Sequence, residues 1–107
     1  MYLAKNSSRK KILDYLKKFP FGFLENFSNK SWAQLYIDRA AKMSAKKDPF
    51  KFIYGFLDEP WAEPYIDEAA KRAAKENPKL FLEKFANRFP QHINSALFAL
   101  GDENVSE

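Results

Sequence analysis

The sequence repeats itself at an interval of 29 residues, and this period constrains the fold more than any other feature. The segment that begins at Trp32 matches the segment that begins at Trp61 in one register. The identical pairs include Trp32/Trp61, Ala33/Ala62, Tyr36/Tyr65, Ile37/Ile66, Asp38/Asp67, Ala40/Ala69, Ala41/Ala70, Lys42/Lys71, Ala45/Ala74, Lys46/Lys75, Pro49/Pro78 and Phe52/Phe81. Such a pattern predicts that the chain is built from copies of one structural unit.

A proline followed by apolar residues at a fixed spacing recurs at the same interval of 29 residues, and this pattern reveals a further unit nearer the amino terminus. It comprises Pro20, Phe23, Leu24 and Phe27, then Pro49, Phe52, Ile53 and Phe56, and finally Pro78, Phe81, Leu82 and Phe85. We therefore predict one domain over residues 1–107, with three units near 3–31, 32–60 and 61–89. Residues 90–100 match poorly and are predicted to form a capping helix, because Ile93, Leu97 and Leu100 keep only a narrow apolar edge. Residues 101–107 are predicted to be a flexible acidic tail.

Each unit has the pattern of a longer helix followed by a shorter one. In the longer helix, apolar residues recur as adjacent pairs every four positions, which places them in one stripe. Helix starts are indicated by Ser31 with Gln34, which would form a capping box, and by Asp48, Asn77 and Asp58 next to prolines. We predict helices over 8–18, 20–28, 32–47, 49–57, 60–76, 78–88 and 90–100, and no segment has a strand pattern.

These features predict an all-α fold, a right-handed stack of short helical hairpins with about seven helices. The tandem hairpins resemble the α-solenoid class, which includes the tetratricopeptide and HEAT-like repeats. The unit of 29 residues with its Ala-Ala pairs differs from the tetratricopeptide unit of about 34 residues, so the resemblance is one of architecture. It implies a binding scaffold.

Composition removes most catalytic and metal sites. The chain has no Cys and a single His, so neither thiolate chemistry nor a His-based metal site is expected. The acidic cluster of Asp58, Glu59, Glu63 and Asp67 lacks the glycine-turned loop of a calcium site. We therefore predict a protein that is not an enzyme, with no catalytic, cofactor-binding or metal-binding residues. No apolar run reaches transmembrane length and no leader pattern is present, so we expect a soluble, cytoplasmic and monomeric protein.

Two polar motifs have simple structural interpretations. Asp38 and Asp67 each precede a lysine by four residues, which is typical of an exposed helix pair. His92 has no acidic partner at a recognisable spacing, so we expect it at the surface or in a cap.

Positive charge is concentrated near the amino terminus. The formal charge is +5 over residues 1–30 but −3 over residues 90–107. An apolar face with helical spacing accompanies the cations, so this segment is predicted to be a basic amphipathic helix. It is either a solvated outer face or a site for a polyanion such as nucleic acid. The candidate polyanion-binding residues are Arg9, Lys10, Lys11, Lys17, Lys18 and Lys30.

Three aromatic residues break the repeat. Phe21 and Phe50 share a position that is Lys79 in the third unit, and Tyr54 corresponds to Glu25 and Glu83. Because the sister residues are charged, these aromatic side chains either form an exposed patch for a partner or cover a neighbouring helix.

The function predicted from these features is a non-enzymatic scaffold for protein-protein interaction, whose partner is an unidentified protein or peptide that contacts Phe21, Phe50 and Tyr54. The chain is either a whole scaffold or a fragment of a longer repeat array. The alternative is binding of nucleic acid or another polyanion through the basic helix, and a small hydrolase or metal protein that uses the acidic cluster is a third hypothesis.

Overall fold

The computed structural model describes residues 7–101, and these residues form seven α-helices with no strand among them. The helices are α1 (Arg9–Lys18), α2 (Pro20–Phe27), α3 (Gln34–Lys47), α4 (Pro49–Phe56), α5 (Glu63–Glu76), α6 (Pro78–Phe85) and α7 (Ile93–Gly101). Single 3-10 turns at Ser31–Ala33, Pro60–Ala62 and Pro90–His92 lead into α3, α5 and α7. The predicted all-α class is confirmed. Of the predicted tail at 101–107, Gly101 belongs to α7, and residues 102–107 lie outside the described residues.

The starts of three helices are fixed by side-chain caps. Ser8 accepts a hydrogen bond from the Lys11 amide, Asp48 from the Lys51 amide, and Asn77 from the Leu80 amide. The caps predicted at Asp48 and Asn77 are therefore confirmed, and each satisfies an amide that has no acceptor within its helix.

The capping box predicted for Ser31 and Gln34 is wrong. The chain enters α3 through the 3-10 turn, so Gln34 stands at the first α-helical position and its side chain turns back. Its Nε2 donates to the carbonyl oxygens of Ser28 and Lys30, both at 2.9 Å. The cap predicted at Asp58 is also absent, because no side chain caps the turn that begins at Pro60.

The helices pack in chain order, each against the next. In addition α1 contacts α3, α3 contacts α5 and α5 contacts α7, so the odd-numbered helices lie side by side. The core between them and the short helices contains Phe23, Phe52 and Phe81, all fully buried. The Ala pairs of α3 and α5 are buried as well, and their small side chains permit close helix approach. The molecule is elongated and measures 60 × 23 × 17 Å.

The two tryptophans take the equivalent places that their spacing predicts. Trp32 packs on Phe27 with ring centroids 5.4 Å apart, and Trp61 packs on Phe56 at 5.1 Å. Both indoles are partly buried and pack against the core.

The register of the last segment changes from 29 to 30. The 3-10 turn at Pro60–Ala62 has its counterpart at Pro90–His92, because four residues (86–89) separate α6 from this turn whereas three (57–59) follow α4. In this register the buried Ile66 corresponds to the buried Ala96. The poor match of residues 90–100 therefore results partly from a one-residue insertion. The helix predicted over 78–88 ends at Phe85, and the inserted residue lies in the connection 86–89 that follows it.

Candidate functional site

Phe21 and Phe50 make equivalent contacts with the following short helix. The ring of Phe21 lies 4.8 Å from that of Phe56, and the ring of Phe50 lies stacked 5.9 Å from that of Phe85. Both side chains are half-buried against the core. Phe21 and Phe50 therefore each cover a neighbouring short helix, and their contact with a partner stays a prediction.

The same contacts explain the charged residue in the third unit. Lys79 occupies the position of Phe21 and Phe50 but is exposed, and no further short helix follows α6 in the described part of the chain. A lysine at this position therefore does not show that the position is exposed in the earlier units.

Gly55 provides the space for Phe21. A Cβ atom at residue 55 would lie 2.7 Å from two ring carbons of Phe21, which is closer than such atoms approach one another. The glycine thus lets the Phe21 ring reach Phe56 across the surface of α4.

Tyr54 is the most exposed of the three predicted aromatic residues. Its side chain is 60% exposed, and its ring lies 5.2 Å from that of Phe85. Phe50 contacts the same Phe85 ring, so the structure brings Phe50 and Tyr54 together and places Phe21 one helix away. We call Phe50, Tyr54 and Phe85 the aromatic patch.

The predicted polyanion-binding residues are all exposed. Ile12 and Leu16 form the buried face of α1, which leaves the cations of the helix on its outer side. Among the described residues, none of these cations lies within ion-pair distance of a carboxylate. Lys17 and Lys18 lie in the last turn of α1, where their positive charges also stabilise the helix through a favourable interaction with its dipole.

Arg9 has a structural contact of its own. Its guanidinium lies 6.0 Å above the ring of Tyr36, in a cation–π arrangement. Arg9 precedes Asp38 by 29 residues, just as Tyr36 precedes Tyr65, so this contact is the counterpart of the one between Asp38 and Tyr65.

Asp38 joins two long helices. Its Oδ1 accepts a hydrogen bond of 2.7 Å from the hydroxyl of Tyr65, and its Oδ2 lies 3.2 Å from Lys42 Nζ, the predicted helix pair. The bond from Tyr65, with a further contribution from Lys42, lowers the pKa of the Asp38 carboxyl. Burial, together with the adjacent carboxylate, raises the pKa of Tyr65 to about 12.

Asp67 makes the corresponding contact with the last segment. Its Oδ1 accepts a bond of 3.1 Å from Gln91 Nε2 and lies 2.7 Å from His92 Nε2. The bond from Gln91, followed by that with His92, lowers the pKa of Asp67. Its predicted ion pair with Lys71 does not form within 4 Å; the lysine acts on the carboxylate only at longer range.

Of the two places expected for His92, the surface or a cap, the structure shows the second, because His92 ends the 3-10 turn that leads into α7. The expectation that it has no acidic partner is wrong. The side chain is nearly buried, with 9% of the residue exposed, and Asp67 is its partner. In the register of 30 residues His92 takes the buried position of Ala62, so its burial follows from the insertion. Neither register pairs His92 with Asp67, because the residue equivalent to Tyr65, the partner of Asp38, is Asn94 in one register and Ser95 in the other.

The acidic cluster lines a cavity of about 540 Å³. Asp58, Glu59, Glu63 and Asp67 border it together with Arg88, so the structure brings all four carboxylates to one depression. Within residues 7–101, however, no three His, Cys, Asp or Glu side chains lie close enough to hold a metal ion.

Comparison with protein-family models, with curated proteins and with solved structures finds no match for this chain. None of the described helices is long and apolar enough to cross a membrane.

Proposed function

We propose that this protein is a non-enzymatic helical-repeat module that binds another protein through the aromatic patch. In this proposal the helices form a right-handed, α-solenoid-like stack of three hairpin units and a capping helix. The contacts that recur one unit apart support it: Phe21 with Phe56 and Phe50 with Phe85, then Arg9 with Tyr36 and Asp38 with Tyr65.

The exposure of Tyr54 is the observation that carries the binding role. Its sister positions hold Glu25 and Glu83, both exposed, so the stack does not require an aromatic side chain there. Tyr54 is 60% exposed and Phe50 is partly exposed, so these two rings offer the kind of contact area that interface anchors have, whereas Phe85 is only 4% exposed and packs against both of them.

The test compares Tyr54→Glu with a matched control, Leu35→Glu. Leu35 is 85% exposed and lies in the first turn of α3, so the control removes an exposed apolar side chain away from the patch. We expect proteins that cross-link to the parent chain to be lost with Tyr54→Glu and retained with Leu35→Glu. Equal capture by both variants would contradict the proposal.

The alternative function, binding of nucleic acid or another polyanion, is favoured by one specific observation. The lysines of α1 and Lys30 are exposed and unpaired with carboxylates among the described residues. Ammonium groups in this state gain free energy from the counterions that a polyanion releases. Arg9 contributes less, because it is engaged with Tyr36.

The test of this alternative is the salt dependence of binding to a short duplex DNA. A variant with Gln at Lys10, Lys11, Lys17 and Lys18 should bind more weakly and with a shallower dependence on salt. The control carries Gln at Lys46, Lys71, Lys75 and Lys84, which are exposed elsewhere and give the same net charge. If both variants lose the same affinity, binding is a property of overall charge and the basic helix is not the site.

A further inference from the structure

A cavity of about 570 Å³ lies between the first two helical hairpins. It is formed where α1 ends and α2 begins, together with the place where α3 ends and α4 begins. Its size falls within the range of small-molecule sites in proteins. The aromatic patch does not account for it, and of the proposed polyanion-binding residues only Lys18 lines it.

The cavity contains a buried polar group without a partner. Ser44 is only 3% exposed and lines the cavity, and within residues 7–101 its side chain makes no hydrogen bond. The corresponding residue of the next unit is Ala73, so the stack does not need a hydroxyl here. Trp61 Nε1 is the one fully enclosed unpaired side-chain atom of the described residues, so the Ser44 oxygen is open to the cavity and available to a ligand there.

The helix that opens into the cavity lacks the cap of its sister helices. Asp48 and Asn77 cap α4 and α6, but the equivalent residue before α2 is Phe19, and no side chain caps α2. The amides of Phe21 and Gly22 stand in the first turn at the cavity wall. An anion placed there would take the role that a cap carboxylate has in the other units.

Positive charge surrounds this position. Lys18, Lys47 and Lys51 line the cavity, and the Lys51 ammonium lies 4.6 Å from the centre of the Phe21 ring. Two carboxylates, those of Glu25 and Asp48, also line it, and Asp48 already accepts the Lys51 amide. Ammonium groups therefore outnumber carboxylates, and the free hydrogen-bonding groups are mostly donors.

An apolar wall lies beside the cations. Phe19 is 55% exposed and lines the cavity together with Phe21 and Pro20. The next unit has Lys51 where this wall has Gly22, so the glycine leaves room beside the phenylalanines. A flat ring would cover the exposed Phe19 surface, which water now contacts.

We propose that this cavity binds a small organic phosphate that carries an aromatic ring. The phosphate accepts hydrogen bonds from Ser44 Oγ, the first amides of α2 and the lysine ammonium groups, while the ring lies against Phe19. A phosphate fits better than a carboxylate because it offers three acceptor oxygens to donors that come from several directions.

Calorimetry on the full chain tests the proposal with two probes, adenosine monophosphate and phenyl phosphate. We expect at least one of them to bind with a Kd below about 1 mM. The stronger probe distinguishes a nucleotide from a simple phosphorylated ring. Adenosine and inorganic phosphate, which lack one half of the ligand each, should bind about tenfold more weakly or worse. If neither probe binds at about 1 mM, the proposal is wrong.

Variants locate the site. Lys47→Gln with Lys51→Gln should reduce affinity about tenfold, whereas the control pair Lys46→Gln with Lys75→Gln should leave it unchanged. Ser44→Ala introduces the residue of the sister unit and should fold normally while weakening binding. Gly22→Leu should block the cavity without strain, because a Cβ at residue 22 makes only ordinary contacts, the nearest at 3.6 Å.

Amide chemical shifts give a readout that does not depend on affinity. Each probe that binds should shift the amides of Phe21, Gly22 and Ser44 in the parent chain. Shifts confined to other residues, or equal losses of affinity in the two lysine pairs, would overturn the assignment of the site.

Discussion

The hydroxyl of Tyr65 donates a hydrogen bond of 2.7 Å to Asp38, and both residues belong to copies of the same Tyr-Ile-Asp motif. One copy, at 36–38, supplies the acceptor, and the next copy, at 65–67, supplies the donor. A single short motif therefore carries both halves of a contact between neighbouring long helices. The repeat of this motif has a structural explanation that does not involve catalysis.

The first prediction concerns this bond at high pH. The pKa of Tyr65 is raised from 10.0 to about 12 in the folded chain, so the folded state holds the phenolic proton more tightly than the unfolded state. The stability that this provides is complete below pH 10.0 and is lost as the pH rises to about 12. The free energy of unfolding of the parent should fall in this window more than that of Tyr65→Phe.

Tyr36→Phe is the control for the first prediction. Tyr36 faces the Arg9 guanidinium rather than a carboxylate, and a phenylalanine ring preserves this contact. Its unfolding curve should keep the alkaline loss seen in the parent. Identical alkaline behaviour of the parent and Tyr65→Phe would show that the bond contributes nothing to stability.

The second prediction compares the stability cost of replacing Phe50 and Tyr54, the two residues of the aromatic patch that have a charged equivalent in another unit. Phe50→Lys should cost about 1–3 kcal/mol, because it removes a half-buried ring that stacks on Phe85. Tyr54→Glu should stay within about 0.5 kcal/mol, as is usual for an exposed residue. Denaturant unfolding measures both. Equal costs would mean that the two side chains are buried to the same extent in solution.

The third prediction uses the close approach of Phe21 to Gly55. Gly55→Ala gains about 1 kcal/mol of helix propensity, but it forces the Phe21 ring away at a cost of about 1–3 kcal/mol. The substitution should therefore destabilise the parent and stabilise a Phe21→Ala variant. Gly22→Ala is the control and should stabilise both backgrounds, since its Cβ meets nothing closer than 3.6 Å. Additive effects of Gly55→Ala and Phe21→Ala would contradict this prediction.

The fourth prediction concerns an unpaired donor in Trp61. Its Nε1 is buried and has no hydrogen-bond partner, so the indole N–H is unfavourable where it stands. Trp61→Phe should therefore cost less than about 1 kcal/mol, whereas Trp61→Ala, which also removes the ring packed on Phe56, should cost about 3 kcal/mol.

Trp32 provides the comparison for Trp61. Its indole nitrogen is not among the buried unpaired atoms of the described residues. Thermal unfolding should show a larger loss for Trp32→Phe than for Trp61→Phe. The reverse order would mean that the Trp61 donor finds a partner in solution.

The helices could be predicted from the sequence because their signals are local. The Asp48 and Asn77 caps, the prolines that follow them and the four-residue spacing of the apolar pairs each act within one or two turns. The start of α3 was missed for a local reason too, since a 3-10 turn shifts the helix register at Gln34.

The contacts between units were harder to predict because they join residues 24–35 positions apart. The pair of Asp67 and His92 has no counterpart in the repeat, because Asp38 pairs with Tyr65, whose equivalent in the last segment is Asn94 or Ser95. The repeat compares Phe21 and Phe50 with Lys79, but the comparison misleads. Each phenylalanine packs on the following short helix, and no such helix follows Lys79 in the described residues. Comparison of sister residues is informative only where their neighbours are also equivalent.

The elongated form has a consequence for the way in which the chain opens. Among the odd-numbered helices, α3 and α5 each pack against two others, while α1 and α7 each pack against one. Unfolding can therefore start at the terminal helices and proceed toward the middle, so that the whole core need not unfold in one step. Because the terminal helices can unfold while the central ones stay folded, amide protons in α1 and α7 should exchange with solvent sooner than those in α3 and α5.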